Sequence, residues 1–314
     1  MNHPTLVILA AGLSTRYGGS KQLEPVGPDG EALLDYAVYD ALGAGFGEVV
    51  LVVSASNEAD LVQRFRDRFG IAIPLRTVVQ GKGRLPSGLQ PPSRVKPWGT
   101  GHAVLCLEGA VTGAFAVANA DDFYGRLAYR SLVDHLTSPA HVGEQCVVGY
   151  RVDATLSEHG GVSRAVLDTD EEGRLVSIEE VLGLEKSGDG TIFGQTAAGS
   201  PRALSGDERV SMNLWGLTPD LFGLLDERFG VFLGRHGDDP RTEFYLSDAI
   251  GALVVAQELT VRVTATDERW LGMTFPADRG HVRAGIRALV KAGEYPPSLR
   301  AALRVTDPRV GDPE

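Results

Sequence analysis

Residues Leu9 to Leu23, LAAGLSTRYGGSKQL, place three glycines, Arg16 and Lys21 directly after an apolar run. Glycine lets backbone N–H groups crowd around an anion, and two cations neutralise it, so the stretch has the makings of a phosphate loop. Spacing excludes two common forms. A dinucleotide fingerprint needs a glycine two positions after the first, where this chain has Ser14. A P-loop needs lysine directly after glycine and Ser or Thr directly after lysine; here Ser20 precedes Lys21 and Gln22 follows it.

The stretch resembles the L-A-A-G-x-x-[ST]-R-x-x-x-x-K-x-L signature of the sugar nucleotidyltransferases, the NDP-sugar pyrophosphorylases. On that resemblance Leu9, Ala10, Ala11 and Gly12 bring backbone to the nucleotide, and Arg16 and Lys21 bring charge to the triphosphate. Trp98 to Val104, WGTGHAV, is similar to the base-recognition segment of the uridylyltransferases acting on N-acetylglucosamine 1-phosphate. It implies base contacts from Gly99 and Thr100, with Gln80 contributing from an upstream strand end. His102 then has the plainer role of a local hydrogen bond at a helix start. Val117 to Gly125, VANADDFYG, resembles the strand end that carries the family's metal aspartate. Asp121 takes that position and implies Mg2+, a hard cation suited to carboxylate and phosphate oxygens. Asp122 is left as a helix cap.

Two further segments carry implied acceptor contacts: Glu180 in GRLVSIEEV and Asn213 in SMNLWGL. EFYLSDAI, Glu243 to Ile250, matches a family helix start at which Ser247 or Asp248 would cap. One position departs. Where the family usually places a second metal-binding Asp or Asn, WLGMT offers Gly272, which has no side chain to ligate with. Asp267, Glu268 and Asp278 are the nearby substitutes, with Asp278 the candidate second ligand; the alternative is a metal held by Asp121, substrate phosphates and water. The resemblance runs from Leu6 to about Ala288. It implies transfer from an NTP, UTP or dTTP favoured, to a sugar 1-phosphate, with pyrophosphate released. A sugar phosphate is already an anion at neutral pH, so the absence of a Ser-His-Asp or paired-acid pattern is expected. Alternatives are a cytidylyl- or guanylyltransferase acting on a non-sugar phosphate such as choline phosphate, and a catalytically impaired binding homologue.

The elements that must hold these residues alternate in the first half of the chain. Buried strands are expected at Leu6 to Ala10, Glu48 to Ser54, Pro74 to Val79 and in AFAVANADD. Helices fall between them at Glu31 to Ala44, Glu58 to Phe69, His102 to Ala110 and Tyr129 to Leu136. This is the pattern of an α/β fold, a Rossmann-like, mostly parallel sheet flanked by helices. The second half is richer in strands: EQCVVGYRV, GVSRAVLDTD, GRLVSIEEV, RVSMNLWGL and LTVRVTAT. Helices are expected there at Pro219 to Arg228, Leu246 to Gln257 and Arg279 to Ala292. A single domain over 1–295 is expected, with a nucleotide half to about 140, a sugar half to about 277, a C-terminal helix and a tail from 296. Gly81 to Pro97 is a loop insertion with four cations and no carboxylate, a candidate lid. No hexapeptide repeat follows, so an appended β-helix acetyltransferase domain is not expected.

The totals fit this picture. The chain has 314 residues, 43% of them hydrophobic, and a net charge of -11. That charge argues against nucleic-acid and anionic-membrane partners, which require broad positive surfaces. Two cysteines, no basic leader and no apolar run of membrane-spanning length lead to the expectation of a cytoplasmic protein.

Overall fold

The structure, a computed structural model, describes residues 3–12, 21–71, 73–81, 85, 96–273, 275 and 277–306. The first half runs β1 (Thr5–Leu9), α1 (Leu33–Ala44), β2 (Glu48–Val53), α2 (Glu58–Phe69), β3 (Leu75–Val79), α3 (Thr100–Leu105), β4 (Phe115–Asn119), β5 (Asp122–Phe123) and α4 (Arg126–Leu136). The second continues with β6 (Gln145–Arg151), β7 (Val162–Thr169), β8 (Leu175–Lys186), β9 (Ile192–Thr196), β10 (Pro201–Leu204), β11 (Arg209–Leu217), α5 (Leu221–His236), α6 (Leu246–Val255), β12 (Val261–Thr266), β13 (Leu271–Gly272), α7 (Asp278–Lys291) and α8 (Leu299–Thr306).

One twisted sheet organises the molecule, in the order β10-β9-β8-β7-β11-β4-β1-β2-β3. From β4 to β3 every ladder is parallel. Direction reverses at β11, which is antiparallel to β4, β6 and β7. The parallel β12–β6 pair joins the sheet through β11. The first half, where a nucleotide is expected, is the parallel part, and the strand-rich half is built mainly of antiparallel ribbons. Beyond their first residues, Thr5 and Glu48, strands β1 and β2 are apolar because both faces are covered: Leu6, Ile8 and Leu51 pack on one side, Val7, Val50 and Val52 on the other. Sequence alternation misses the β9–β10 hairpin, whose residues are mostly exposed and interrupted by glycine.

The segment expected to be a tail holds α8 instead, and Leu299 enters a third cluster with Val26, Tyr36, Phe123 and Leu271. A buried polar contact fixes this region. Tyr295 Oη donates to Asp40 Oδ2 at 2.7 Å, and Arg126 Nε lies 3.4 Å from Oδ1. Burial pushes the Asp40 pKa from 3.8 up to about 7, against the opposing pull of Tyr295 and Arg126. A raised folded-state pKa contributes stability fully present below about 3.8 and lost as pH rises through about 7. Tyr295→Phe strands a buried carboxylate oxygen, so it should cost about 1–3 kcal/mol. The loss should be larger at pH 8 than at pH 5, read as the drop in melting temperature at each pH. An equal drop at both would show that Asp40 does not titrate between them.

Candidate active site

The C-terminal end of β4, the start of β7 and the middle of β11 meet at a cavity of about 490 Å3. Thr100, Asp121, Glu180 and Asn213, four residues expected to bind from four separate segments, all line it. Leu9 stands at the same edge, its carbonyl accepting the Ala120 N–H at 3.2 Å. Ala10 and Ala11 are buried, while Gly12 is exposed with its carbonyl held by Gln22 Nε2 at 3.0 Å. Arg16 and the Lys21 side chain lie outside the described residues, as does most of the basic insertion expected to act as a lid.

Asn213 occupies the point where β11 breaks register between Ser211 and Trp215. Its φ is 60°, in the left-handed region that asparagine tolerates better than most side chains. The irregularity turns its amide toward the cavity, where Nδ2 donates to Asn119 Oδ1 at 2.7 Å and Oδ1 accepts from Trp215 Nε1 at 3.0 Å. Asn119 Nδ2 in turn donates to Asp122 Oδ2 at 2.9 Å, and Tyr124 Oη lies 3.2 Å from the same oxygen. A continuous polar chain therefore fixes the floor beside Asp121. Each member satisfies the next, as a buried network requires.

Two capping roles fall to residues other than those expected. Asp122 belongs to β5 and this network, and Glu268 Oε1 instead accepts the Leu127 N–H at the start of α4, at 3.0 Å. Neither Ser247 nor Asp248 caps α6; Thr100 Oγ1 does, taking the Leu246 N–H at 3.0 Å. The segment 98–101 is pressed against Phe244. Gly99 has φ 105°, and a Cβ there would stand 2.6 Å from the Phe244 carbonyl oxygen, so glycine is required. Gln80 reaches this segment across the insertion, donating from Nε2 to Gly99 O at 2.9 Å. His102 is fully buried against Phe229, in keeping with a structural role.

The expected second metal ligand does not join the cavity. Asp278 accepts from Ser157 Oγ at 2.9 Å and from the Phe275 N–H at 2.6 Å, and it borders a separate cavity of about 50 Å3. Asp267 pairs with Arg209 and Glu268 caps α4, so the two other substitutes are engaged elsewhere. At Gly272 itself, a Cβ would stand 2.1 Å from the Trp270 ring and 2.7 Å from Asp122 Oδ1. The Trp270 indole and the Asp122 carboxylate thus fill the space that a side chain at 272 would take. Asp121 and Asp122 together offer hard oxygen donors, and among the described residues no thiol or imidazole lines the cavity. This donor set fits Mg2+.

Electrostatics divide the cavity. Burial raises the Glu180 pKa, and Asp248 raises it further, while Arg164 opposes both. Asp248 is raised by partial burial against the wall. Arg164, which sequence reasoning missed, is the sole lysine or arginine among the described lining residues. Its signal was available, since Val162, Arg164 and Val166 share the inward face of β7. A His135–His141–Glu144 cluster lies away from this cavity. Its imidazoles stack at 4.5 Å with 13° between planes, so their in-plane lone pairs run side by side rather than converging on one ion.

Residues 6–83 match the model of the MobA-like NTP transferase domain. The bifunctional protein GlmU of Pelobacter propionicus is 36% identical over 115 residues, which are 36% of this chain and 20% of that protein. The chain therefore spans about a fifth of the length of that relative. Among solved structures, the inositol-1-phosphate CTP transferase from T. maritima superposes with a TM-score of 0.59 at 16% identity, covering 91% of this chain and 96% of that one. UDP-glucose pyrophosphorylase complexed with UDP-glucose gives 0.59 and 16%, covering 91% and 99%. A putative glucose-1-phosphate thymidylyltransferase from Bacillus anthracis gives 0.57 and 15%, covering 90% and 95%. Among the described residues no helix is long and apolar enough to cross a membrane.

Proposed function

We propose that this chain, which carries a MobA-like NTP transferase domain on the fold of UDP-glucose pyrophosphorylase, is a nucleotidyltransferase that joins an NTP to a sugar 1-phosphate. The observation that carries the reading is the convergence of Thr100, Asp121, Glu180 and Asn213 on one cavity at the end of β4. An open α/β sheet binds ligands at this end of its strands.

In the proposed reaction an oxygen of the acceptor phosphate attacks the α-phosphorus of the NTP. The bond from the α-phosphorus to its bridging oxygen breaks, and pyrophosphate leaves with the electron pair. The nucleophile is already ionised, so no side chain need accept a proton, which suits a wall without histidine. Gly99, Thr100 and Gln80 hold the base, and Leu9 to Gly12 hold the nucleotide backbone, with Arg16 and Lys21 on the phosphates. Glu180 and Asn213 take acceptor hydroxyls. Asp121, with Asp122 beside it, would hold Mg2+, which supplies charge screening between the two anionic reactants when bound. UTP or dTTP is favoured because the Gly99–Thr100 segment resembles a pyrimidine-reading one. The protein is proposed to work in the cytoplasm without nucleic acid or membrane partners.

The test is pyrophosphate release from pure protein and Mg2+, with four NTPs crossed against several sugar 1-phosphates and choline phosphate. Release with a pyrimidine nucleotide and a sugar 1-phosphate is the expected result. Release with choline phosphate alone would overturn the sugar assignment, and no release from any pair would favour a binding homologue.

A further inference from the structure

Charge and burial are out of balance at Arg164. The side chain is only 8% exposed, and no carboxylate lies within 4.0 Å of it among the described residues. Its partners are neutral: Nε donates to Thr155 Oγ1 at 3.1 Å, Nη1 to Ser163 O at 2.8 Å, and Nη2 to Thr155 O. A guanidinium has five N–H groups, so one hydrogen on each Nη is left over. Burial lowers its pKa to about 10, so it remains a cation at any working pH.

A second group beside it has the same deficit. The Arg164 guanidinium lies 4.9 Å from the centre of the Trp270 ring. Trp270 is 9% exposed, and its Nε1–H is buried without an acceptor among the described residues. Buried donors are rarely left unpaired, and this one belongs to a side chain that lines the large cavity. Both residues border the large cavity. The carboxylates acting on Arg164 are Asp122 first, then Glu180, then Asp278. Asp122 and Glu180 line the same cavity as Arg164.

We propose that Arg164 and the Trp270 indole N–H form the docking point for the acceptor's phosphate oxygens, on the wall of the cavity that Asp122 and Glu180 also line. This assignment rests on the nucleotidyltransferase reading for the identity of the anion. A phosphate at this point meets a positive charge already desolvated, so the attraction is screened little by water. It also lies beside Asp122, where an attacking oxygen must be held against repulsion from the triphosphate. Arg164 neither gains nor loses a proton in the transfer.

The experiment pairs calorimetric binding of inorganic phosphate with steady-state kinetics, on the parent chain, Arg164→Gln and Trp270→Phe. Trp270→Phe keeps an aromatic face for the guanidinium and deletes the indole donor together with one ring of the buried side chain. The parent should bind phosphate. Arg164→Gln should weaken that binding roughly 10–100-fold and Trp270→Phe several-fold, as loss of charge-assisted and neutral hydrogen bonds predicts. The KM for the acceptor should rise in parallel while the KM for the NTP stays within about twofold. Unchanged phosphate affinity in both variants, or equal rises in both KM values, would overturn the assignment. Should Arg164→Gln fail to fold, Trp270→Phe decides alone. Phosphate binding that follows this pattern in a chain that releases no pyrophosphate would sink the transfer reading and leave the anion point standing. Pyrophosphate release that ignores both variants would do the reverse.

Discussion

Asp121→Asn is expected to slow pyrophosphate release about 10²–10³-fold or more, the scale of losing one charged stabiliser at a reacting phosphate. The melting temperature should stay close to that of the parent, because Asp121 is partly exposed at the cavity wall rather than packed in the core. The contrast with its neighbour makes the prediction specific. Asp122→Asn breaks into the chain of Asn119, Tyr124 and Asn213, so it should lower stability as well as rate. The measurements are initial rates across a range of Mg2+ concentrations and thermal melts of all three proteins. Lys21→Ala should behave like Asp121→Asn. Near-parental rates in both Asp121→Asn and Lys21→Ala would remove this cavity from the chemistry.

The second large effect concerns Gly272. The obvious repair of a missing metal ligand is Gly272→Asp, and it is expected to fail. A Cβ at 272 would stand 2.1 Å from the Trp270 ring and 2.7 Å from Asp122 Oδ1. The ring must move or the β5–β13 pair must open, and overpacking of this kind typically costs about 1–3 kcal/mol. A new carboxylate would also face Asp122 across the ladder, adding like-charge repulsion. Lower melting temperature with no gain in turnover is the expected outcome. A more active variant of parental stability would show that Trp270 yields and that the ligand position is merely vacant.

Much of this site was legible in the sequence because it sits on strands whose ends are marked by glycine, aspartate or asparagine. The runs at Leu6 and Phe115 locate β1 and β4, and the residues after them are then at the ligand end by topology alone. The capping assignments were not legible. They assumed that a cap comes from its own segment, whereas Thr100 caps a helix starting at residue 246 and Glu268 one starting at 126. Asp278 failed for the related reason that proximity in sequence to Gly272 does not place a side chain in the same cavity. Arg164 was overlooked because one cation in an apolar strand reads as an exposed residue until the register shows that it points inward. Helix α8 was lost to a tail reading, since Leu299 and Leu303 are too short a pattern to outweigh the polar residues around them.

Thr100 has a consequence for how far specificity can be altered. Its hydroxyl anchors the first turn of α6, and that turn presents Ser247 and Asp248 to the acceptor end of the cavity. The residue proposed to read the base is therefore a structural part of the wall proposed to read the acceptor. If the proposed roles hold, donor and acceptor preference are not separable at this position, and replacing Thr100 by a residue without a hydroxyl acceptor should shift both.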